Sequence, residues 1–226
     1  MELEEKIDDC EFNLRQLQHF EPDPHYTKYF FNEFLKSVDK FYQNIFQEAN
    51  RDFGLFVKGD CNREKFIKKA KEKNDSKALK FVTWFDKKFD DIHVNIFPNF
   101  IKKILKDNTK NNSFDIKIML RAKGRYKDDT YQEIKVPLSN GKIRSKEELK
   151  IEIRRQLPVF LEIINHKRES NNEPKLEEND VVASVFADMH EYQNMEIAYA
   201  CEVYLPVMKE FLKEGREQIK KLTQFA

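Results

Sequence analysis

Apolar residues recur every three or four positions through the first half of the chain, which is the spacing of amphipathic helices. The pattern predicts helices over residues 2–19, 25–53, 63–73, 76–90 and 92–106. The second helix carries aromatic residues such as Phe34 and Phe41 over an arc too wide for a surface helix. We therefore expect it to form the centre of a helical bundle.

The spacing of apolar residues then shortens to two, which is typical of β-strands. Residues 116–122 and 134–138 alternate in this way and predict a hairpin. Asn140-Gly141 predicts a tight turn that leads to a short third strand. Residues 181–189 predict a further strand that joins the same small sheet.

Helical spacing returns in the last part of the chain. The capping box Ser145-Lys-Glu-Glu148 predicts a helix over residues 145–166, with a kink near Pro158. A closing helix is predicted from Asn194 onward, and Pro206 should bend it. We expect this last helix to pack on the first ones, because one of its sides is strongly apolar.

These elements predict a mainly α fold, a helical bundle with a small antiparallel β-sheet inserted before the C-terminal helices. Three parts follow: an N-terminal helical bundle over residues 1–112, a β-hairpin or small sheet over 113–144, and C-terminal helices over 145–226 that pack back on the bundle. We expect one compact domain overall.

Composition narrows the class of protein. The chain has 20 Phe but only 5 Gly among 226 residues, which argues against a phosphate-cradling glycine loop and a turn-rich all-β fold. It has no run of 18 apolar residues, so no membrane span is predicted. Cys10, Cys61 and Cys201 lack paired spacing and are expected to be buried free thiols. Together with an acidic N-terminus unlike a secretion signal, they indicate the cytoplasm.

The formal net charge of +1 conceals a division of charge along the chain. Residues 1–50 carry 5 basic and 11 acidic side chains, and residues 169–226 carry 6 and 12. The middle is basic, with 16 against 9 in residues 51–112 and 14 against 8 in residues 113–168. One interpretation is a phosphate-attracting surface. The other, which we favour at this point, is that packed helices offset each other's charges.

Several segments resemble the HEPN superfamily (higher eukaryotes and prokaryotes nucleotide-binding domain). Phe34-Leu-Lys-Ser-Val-Asp-Lys-Phe41 resembles the family's second helix, and Phe81-Val-Thr-Trp-Phe85 resembles an aromatic pair before its last bundle helix. Lys106-Asp-Asn108 lies where the family has Arg-Asn before a catalytic histidine, and Cys201-Glu-Val-Tyr-Leu205 resembles the final helix of some members. The resemblance implies a helical, often dimeric protein that acts on RNA.

The chain departs from this family at the residues that cut RNA. Matching Asn108 to the family asparagine puts Asp107 where the arginine belongs and Asn112 where the histidine belongs. A carboxylate repels phosphate, and an amide does not exchange a proton near neutral pH. The resemblance therefore implies a degenerate motif at which Lys106 and Lys110 hold RNA without cutting it.

Other basic residues are candidates for contacts to phosphate or nucleic acid. They are Lys123, Arg125 and Lys127 in the hairpin loop, and Lys150, Arg154 and Arg155 in the following helix. Tyr126 and Tyr131 are interleaved with them and are candidates for base stacking. A solvated surface is the commoner explanation for such residues.

The histidines do not predict a catalytic or metal site. His19 and His25 flank a turn that contains Asp23, but no second ligand pair accompanies them, so no metal or other cofactor is predicted. His93 lies near Asp90 and Asp91, which favours a cap at the start of a helix over catalysis.

The sequence favours a cytoplasmic, non-catalytic interaction or scaffold module that forms a homodimer or binds a protein partner. The alternative is a HEPN-type protein that binds nucleic acid or cleaves RNA with its basic central region. A catalytic role is less favoured than a non-catalytic one, and no membrane association is predicted.

Overall fold

The structure is a computed structural model that describes residues 2–107, 114–123, 130–134, 138–139, 142–143, 146–189 and 191–224. The helices are α1 (Glu2–Phe20), α2 (Pro24–Asp52), α3 (Arg63–Glu72), α4 (Ser76–Ile92), α5 (Ile96–Asp107), α6 (Lys146–Ser170) and α7 (Ile197–Gln224). The strands are β1 (Asp115–Ala122), β2 (Gln132–Ile134), β3 (Leu138–Ser139), β4 (Lys142–Ile143), β5 (Val181–Met189) and β6 (Tyr192–Glu196). This confirms the predicted mainly helical fold with a small antiparallel sheet.

Polar side chains cap the N-termini of several helices. The carboxylate of Asp23 accepts from the backbone N–H of His25 at the start of α2, at 2.9 Å. Asn62 caps α3 by accepting from the Lys65 N–H, and Asp75 caps α4 by accepting from the Ala78 N–H. These bonds satisfy amide groups that have no partner inside the helix. Pro98 lies in the first turn of α5, where its missing N–H costs little.

Four strands form an antiparallel sheet in the order β2-β1-β5-β6. The central pair aligns Ile118 of β1 with Val185 of β5, and Ile118 also lies opposite Ile134 of β2. The structure confirms the strand predicted at 181–189. It corrects the start of the last helix, because Tyr192–Glu196 is strand β6 and α7 begins only at Ile197.

The strands β3 and β4 pair with each other in a separate two-stranded sheet, with Leu138 opposite Ile143. The strand predicted after Asn140-Gly141 is therefore present as β4. Those two turn residues themselves lie outside the described residues.

The chain divides into two compact units. Unit 1 comprises residues 1–15, 32–112 and 199–226, and unit 2 comprises residues 16–31 and 113–198. Three of the four unit boundaries fall within α1, α2 and α7, and the fourth lies outside the described residues.

Aromatic side chains form the core of unit 1. Phe34, Phe41 and Phe100 are fully buried, as their positions in the helical stripes predict. Phe211 of α7 meets Phe85 of α4 edge to face at a centroid distance of 5.2 Å. Trp84 is only half-buried and stacks on Phe81. Burial of these large rings supplies most of the driving force for packing the helices of this unit.

In unit 2, α6 covers one face of the sheet. The apolar cluster there contains residues from β1, β2 and α6: Ile118, Leu120, Ala122, Ile134, Leu149, Phe160 and Ile164. A buried ion pair joins two strands of the same sheet, with Arg121 Nη2 of β1 2.8 Å from Glu196 Oε1 of β6. Removing either partner would leave an uncompensated charge in a dry environment, so the intact pair links β1 to β6 across β5, which lies between them.

None of the helices in the described part of the chain is long and apolar enough to cross a membrane. The three cysteines are buried and unpaired, as predicted.

Candidate nucleic-acid interface

The motif suggested by the family resemblance falls mostly outside the described residues. Lys106 is exposed in the last turn of α5, and the described backbone of that helix ends at Asp107. Asn108, Lys110 and Asn112 lie outside the described residues, so the degenerate active site stays a prediction.

The candidate phosphate contacts of the hairpin and of α6 belong to unit 2. Lys123, Lys150, Arg154 and Arg155 are exposed, whereas Arg125, Lys127 and Tyr126 lie outside the described residues. On α6, Lys150 pairs with Glu147 at 2.8 Å and Arg155 pairs with Glu152 at 2.5 Å. These acidic partners weaken the attraction of α6 for phosphate.

Tyr131 is a poorer stacking candidate than the sequence suggests. Its half-buried ring packs edge to face on Phe186 of β5, at a centroid distance of 5.2 Å. The ring is therefore part of the packing of unit 2.

His93 lies in the interior of unit 1, so its interpretation as a helix-start cap was wrong. The residue follows the last turn of α4, and only 3% of its surface is exposed. Its Nδ1 bonds the carbonyl oxygen of Phe89, and its Nε2 lies 2.9 Å from the hydroxyl of Tyr204. A carbonyl oxygen only accepts, so Nδ1 carries the proton and the Tyr204 hydroxyl donates to Nε2.

Tyr42 completes this buried chain of hydrogen bonds, with its hydroxyl 3.0 Å from that of Tyr204. Burial lowers the pKa of His93 to about 4 and raises the pKa of both tyrosines above their ordinary range. The three groups satisfy one another in the core, which is a structural role. They offer no proton donor or acceptor to a ligand at the surface.

The thiols are likewise unsuited to nucleophilic chemistry. Burial raises the pKa of Cys61 to about 11, and it raises the pKa of Cys10 and Cys201 as well. The thiolate is the reactive form, and it is scarce at neutral pH when the pKa is raised.

No group of three or more His, Cys, Asp or Glu side chains suited to a metal ion occurs among the described residues. His19 and His25 are both exposed, and Asp23 between them caps α2.

The loop between α2 and α3 carries an exposed aromatic residue that the sequence pattern does not predict. Phe56 is 79% exposed, although phenylalanine is ordinarily buried. Its backbone adopts the left-handed conformation with φ of 58°, which is costly for a bulky residue. The neighbouring Leu55 is fully buried, so the loop is anchored on one apolar residue and presents the next to solvent.

Side chains of α2 hold this loop in place. Asn50 accepts from the Val57 N–H at 2.9 Å and donates to the Val57 carbonyl at 3.4 Å. Gln47 accepts from the Cys61 N–H at 2.8 Å. Because both parts of the loop are fixed to the same helix, Phe56 is presented from a preorganised backbone.

Phe56 lies in a cleft with a volume of about 310 Å³ in unit 1. The rest of its lining is mostly basic: Val57, Lys58, Lys65, Lys68, Lys69 and Glu72. Glu72 pairs with Lys69 at 2.9 Å. Lys58 and Lys68 are exposed and form no ion pair in the described part of the chain, although Lys68 helps Lys69 to lower the pKa of Glu72.

A further lysine contacts the aromatic ring itself. Lys73 Nζ lies 4.8 Å from the centre of the Phe56 ring and donates to the Gly54 carbonyl at 2.7 Å. The cleft thus combines an exposed ring with an excess of positive charge. This combination suits a ligand that contains both a phosphate and an unsaturated ring. A second cleft of unit 1 differs in charge, since Glu2, Glu5 and Asp60 line it beside Lys6 and Lys40.

Searches of protein-family models, curated proteins and solved structures found no match to this chain.

Proposed function

We propose that the protein is a non-catalytic nucleic-acid-binding module that uses the basic cleft of unit 1. The observation that carries the proposal is the exposed Phe56 beside two exposed lysines that form no ion pair among the described residues, Lys58 and Lys68. Lysine side chains attract the phosphate backbone without regard to sequence. The sequence favoured an interaction or scaffold module, and the cleft favours the nucleic-acid alternative.

The absence of catalysis is part of the proposal. His93 is enclosed by Phe89 and Tyr204, and the family resemblance places Asp107 and Asn112 where a ribonuclease has arginine and histidine. Labelled RNA incubated with the protein, without added metal, should be recovered at full length. Cleavage that Lys106→Ala or Asn112→Ala abolishes would instead support the ribonuclease.

The binding test is a salt titration with a labelled single strand, followed by fluorescence anisotropy. If Lys58, Lys65 and Lys68 each contact one phosphate, log Kd should change with log salt with a slope of about 2. The double variant Lys58→Gln, Lys68→Gln should bind more weakly and reduce that slope by about 1.4.

The matched control is Lys80→Gln, Lys87→Gln, which removes the same charge from exposed positions of α4 outside the cleft. It should keep most of the affinity and slope. Equal losses in both double variants, or no binding at low salt, would reject the cleft as a nucleic-acid site.

An interaction through α6 is a second candidate, since a row of its apolar residues faces solvent. Ile151, Val159 and Ile163 are each at least half exposed. A homodimer that buries this row is supported by the unfavourable free energy of exposing apolar side chains to water. Native mass measurement should then give a dimer that Ile151→Lys, Ile163→Lys converts to a monomer. A wild-type monomer at every protein concentration would exclude it.

A cytoplasmic location remains part of the proposal. It is supported by the three unpaired thiols, which suit a reducing compartment.

A further inference from the structure

We infer that the cleft binds single-stranded nucleic acid with one unpaired base stacked on the Phe56 ring. This inference rests on the proposed function and adds the kind of strand and the way in which it is held. Phe56 is the aromatic residue of the cleft lining, so one base is engaged there.

The backbone of Phe56 supports a role in binding. The left-handed conformation is costly for a bulky residue, and it persists only where the surroundings impose it. Here the Asn50 amide fixes Val57, and buried Leu55 anchors the residue before the ring. The loop therefore maintains an exposed aromatic ring at a cost to stability, which is typical of binding sites.

Stacking on this ring requires a base that is not already stacked in a duplex. In a double helix the faces of the bases are covered by their neighbours, and only phosphates and groove edges meet the protein. A duplex would contact the lysines of the cleft but not the face of the Phe56 ring. The geometry therefore favours a single strand.

The other side chains of the cleft indicate that recognition tolerates different sequences. Readout of base edges commonly uses Asn, Gln or Arg, and the described lining of this cleft holds none of them. Lysines bind phosphate as point charges, and Glu72 is engaged by Lys69. We expect DNA and RNA strands to bind with similar affinity, and strands rich in purines to bind more tightly through stronger stacking.

The test compares a labelled 12-nucleotide strand with the duplex of the same sequence, again by anisotropy. Phe56→Asn removes the ring and suits the left-handed backbone. It should weaken binding of the single strand by about 5- to 100-fold and leave duplex binding and the salt slope unchanged. Phe56→Trp should retain single-strand affinity, and its added indole fluorescence should be quenched by the single strand but not by the duplex.

The control for loss of an exposed ring is Phe12→Asn on α1, which belongs to unit 1 and lies outside the cleft. It should bind like the wild type. If Phe56→Asn keeps full affinity while the double lysine variant of the cleft loses it, the stacking inference fails and the proposed nucleic-acid binding stands. If the wild type binds neither strand nor duplex, both fail.

Discussion

His93 lies between the Phe89 carbonyl and the Tyr204 hydroxyl, and this position decides its chemistry. The neighbouring Asp90 and Asp91 in the sequence favoured a cap at the start of a helix. Its hydrogen-bond partner on α7 is 111 residues away in the sequence. Helical spacing predicts which residues point inward, as it did for Phe34 and Phe41, but it does not reveal which polar groups meet across a core.

The buried imidazole should make stability depend on pH. Burial lowers the pKa of folded His93 from an ordinary 6.5 to about 4, so the unfolded chain binds more protons between these values. The free energy of unfolding should therefore be highest above about pH 6.5 and fall as the pH drops toward 4, by up to about 3 kcal/mol from this group. Urea unfolding at several pH values measures the change.

His93→Gln separates this effect from that of other titrating groups. Glutamine retains a donor for the Phe89 carbonyl and an acceptor for the Tyr204 hydroxyl, but it does not titrate in this range. The variant should lose the part of the pH dependence that lies between pH 6.5 and 4. If wild type and variant show parallel pH profiles, folding does not shift the pKa of His93 and the interpretation is wrong.

At the scale of elements, the spacing of apolar residues predicted the bounds of most helices to within a few residues, because a long apolar stripe leaves few alternative registers. Strand β6 was missed because Tyr192–Glu196 is short and runs directly into α7. Its stabilising contacts are the pairing with β5 and the Arg121–Glu196 ion pair. Both depend on distant residues, so the local sequence does not report them.

The loop after α2 was predicted only in part. Gly54 directly follows the helix predicted over residues 25–53, and its φ of 60° is typical of a glycine that ends a helix. The sequence Leu55-Phe56-Val57 is uniformly apolar, however, and it does not indicate that only the middle residue faces outward. That orientation follows from the left-handed backbone at Phe56 and the Asn50 bonds to Val57.

Because that backbone is strained, replacing the ring should stabilise the fold. Phe56→Asn removes little buried surface and introduces a residue that tolerates positive φ. We expect its free energy of unfolding to rise by about 0.5–1 kcal/mol in a urea titration, while single-strand binding falls. The control Phe12→Asn, in a helix, should not gain stability. If Phe56→Asn is less stable than the wild type, the packing contacts of the Phe56 ring outweigh the strain of its backbone.

Across the whole molecule, the division of charge has a structural counterpart. In unit 1 the acidic first helices pair with the last helix, through Lys209 with Glu11 at 2.5 Å and Arg216 with Glu48 at 2.7 Å. Basic residues of the middle segment pair largely with acids of that segment. Examples are Arg63 with Asp86, and Lys102 with Asp90.

The middle of the chain also pairs with the acidic last segment. In unit 1, Lys88 pairs with Glu214 at 2.8 Å. In unit 2, Lys117 pairs with Asp188 and Arg121 pairs with Glu196. Acidic residues of the last segment therefore offset part of the positive charge of the middle, as the packing interpretation expects. The lysines of the basic cleft take no part in these pairs, and the phosphate-attracting interpretation rests on them.

Arg216 is the residue through which the first two helices and the last are joined by charge. It bonds both carboxylate oxygens of Glu48 and also reaches Glu4, whose pKa it lowers to about 2.

Because the guanidinium is partly exposed, Arg216→Gln should cost only about 1 kcal/mol of unfolding free energy at low salt and less at 1 M salt. The stability contributed by Glu4 is present above about pH 4.5 and lost toward pH 2. The variant should therefore also reduce the pH dependence of the unfolding free energy over this range. Lys209→Gln, which breaks a single exposed pair, should cost less than Arg216→Gln in the same urea titrations. Equal losses in the two variants at both salt concentrations would show that these charges do not tie the helices together.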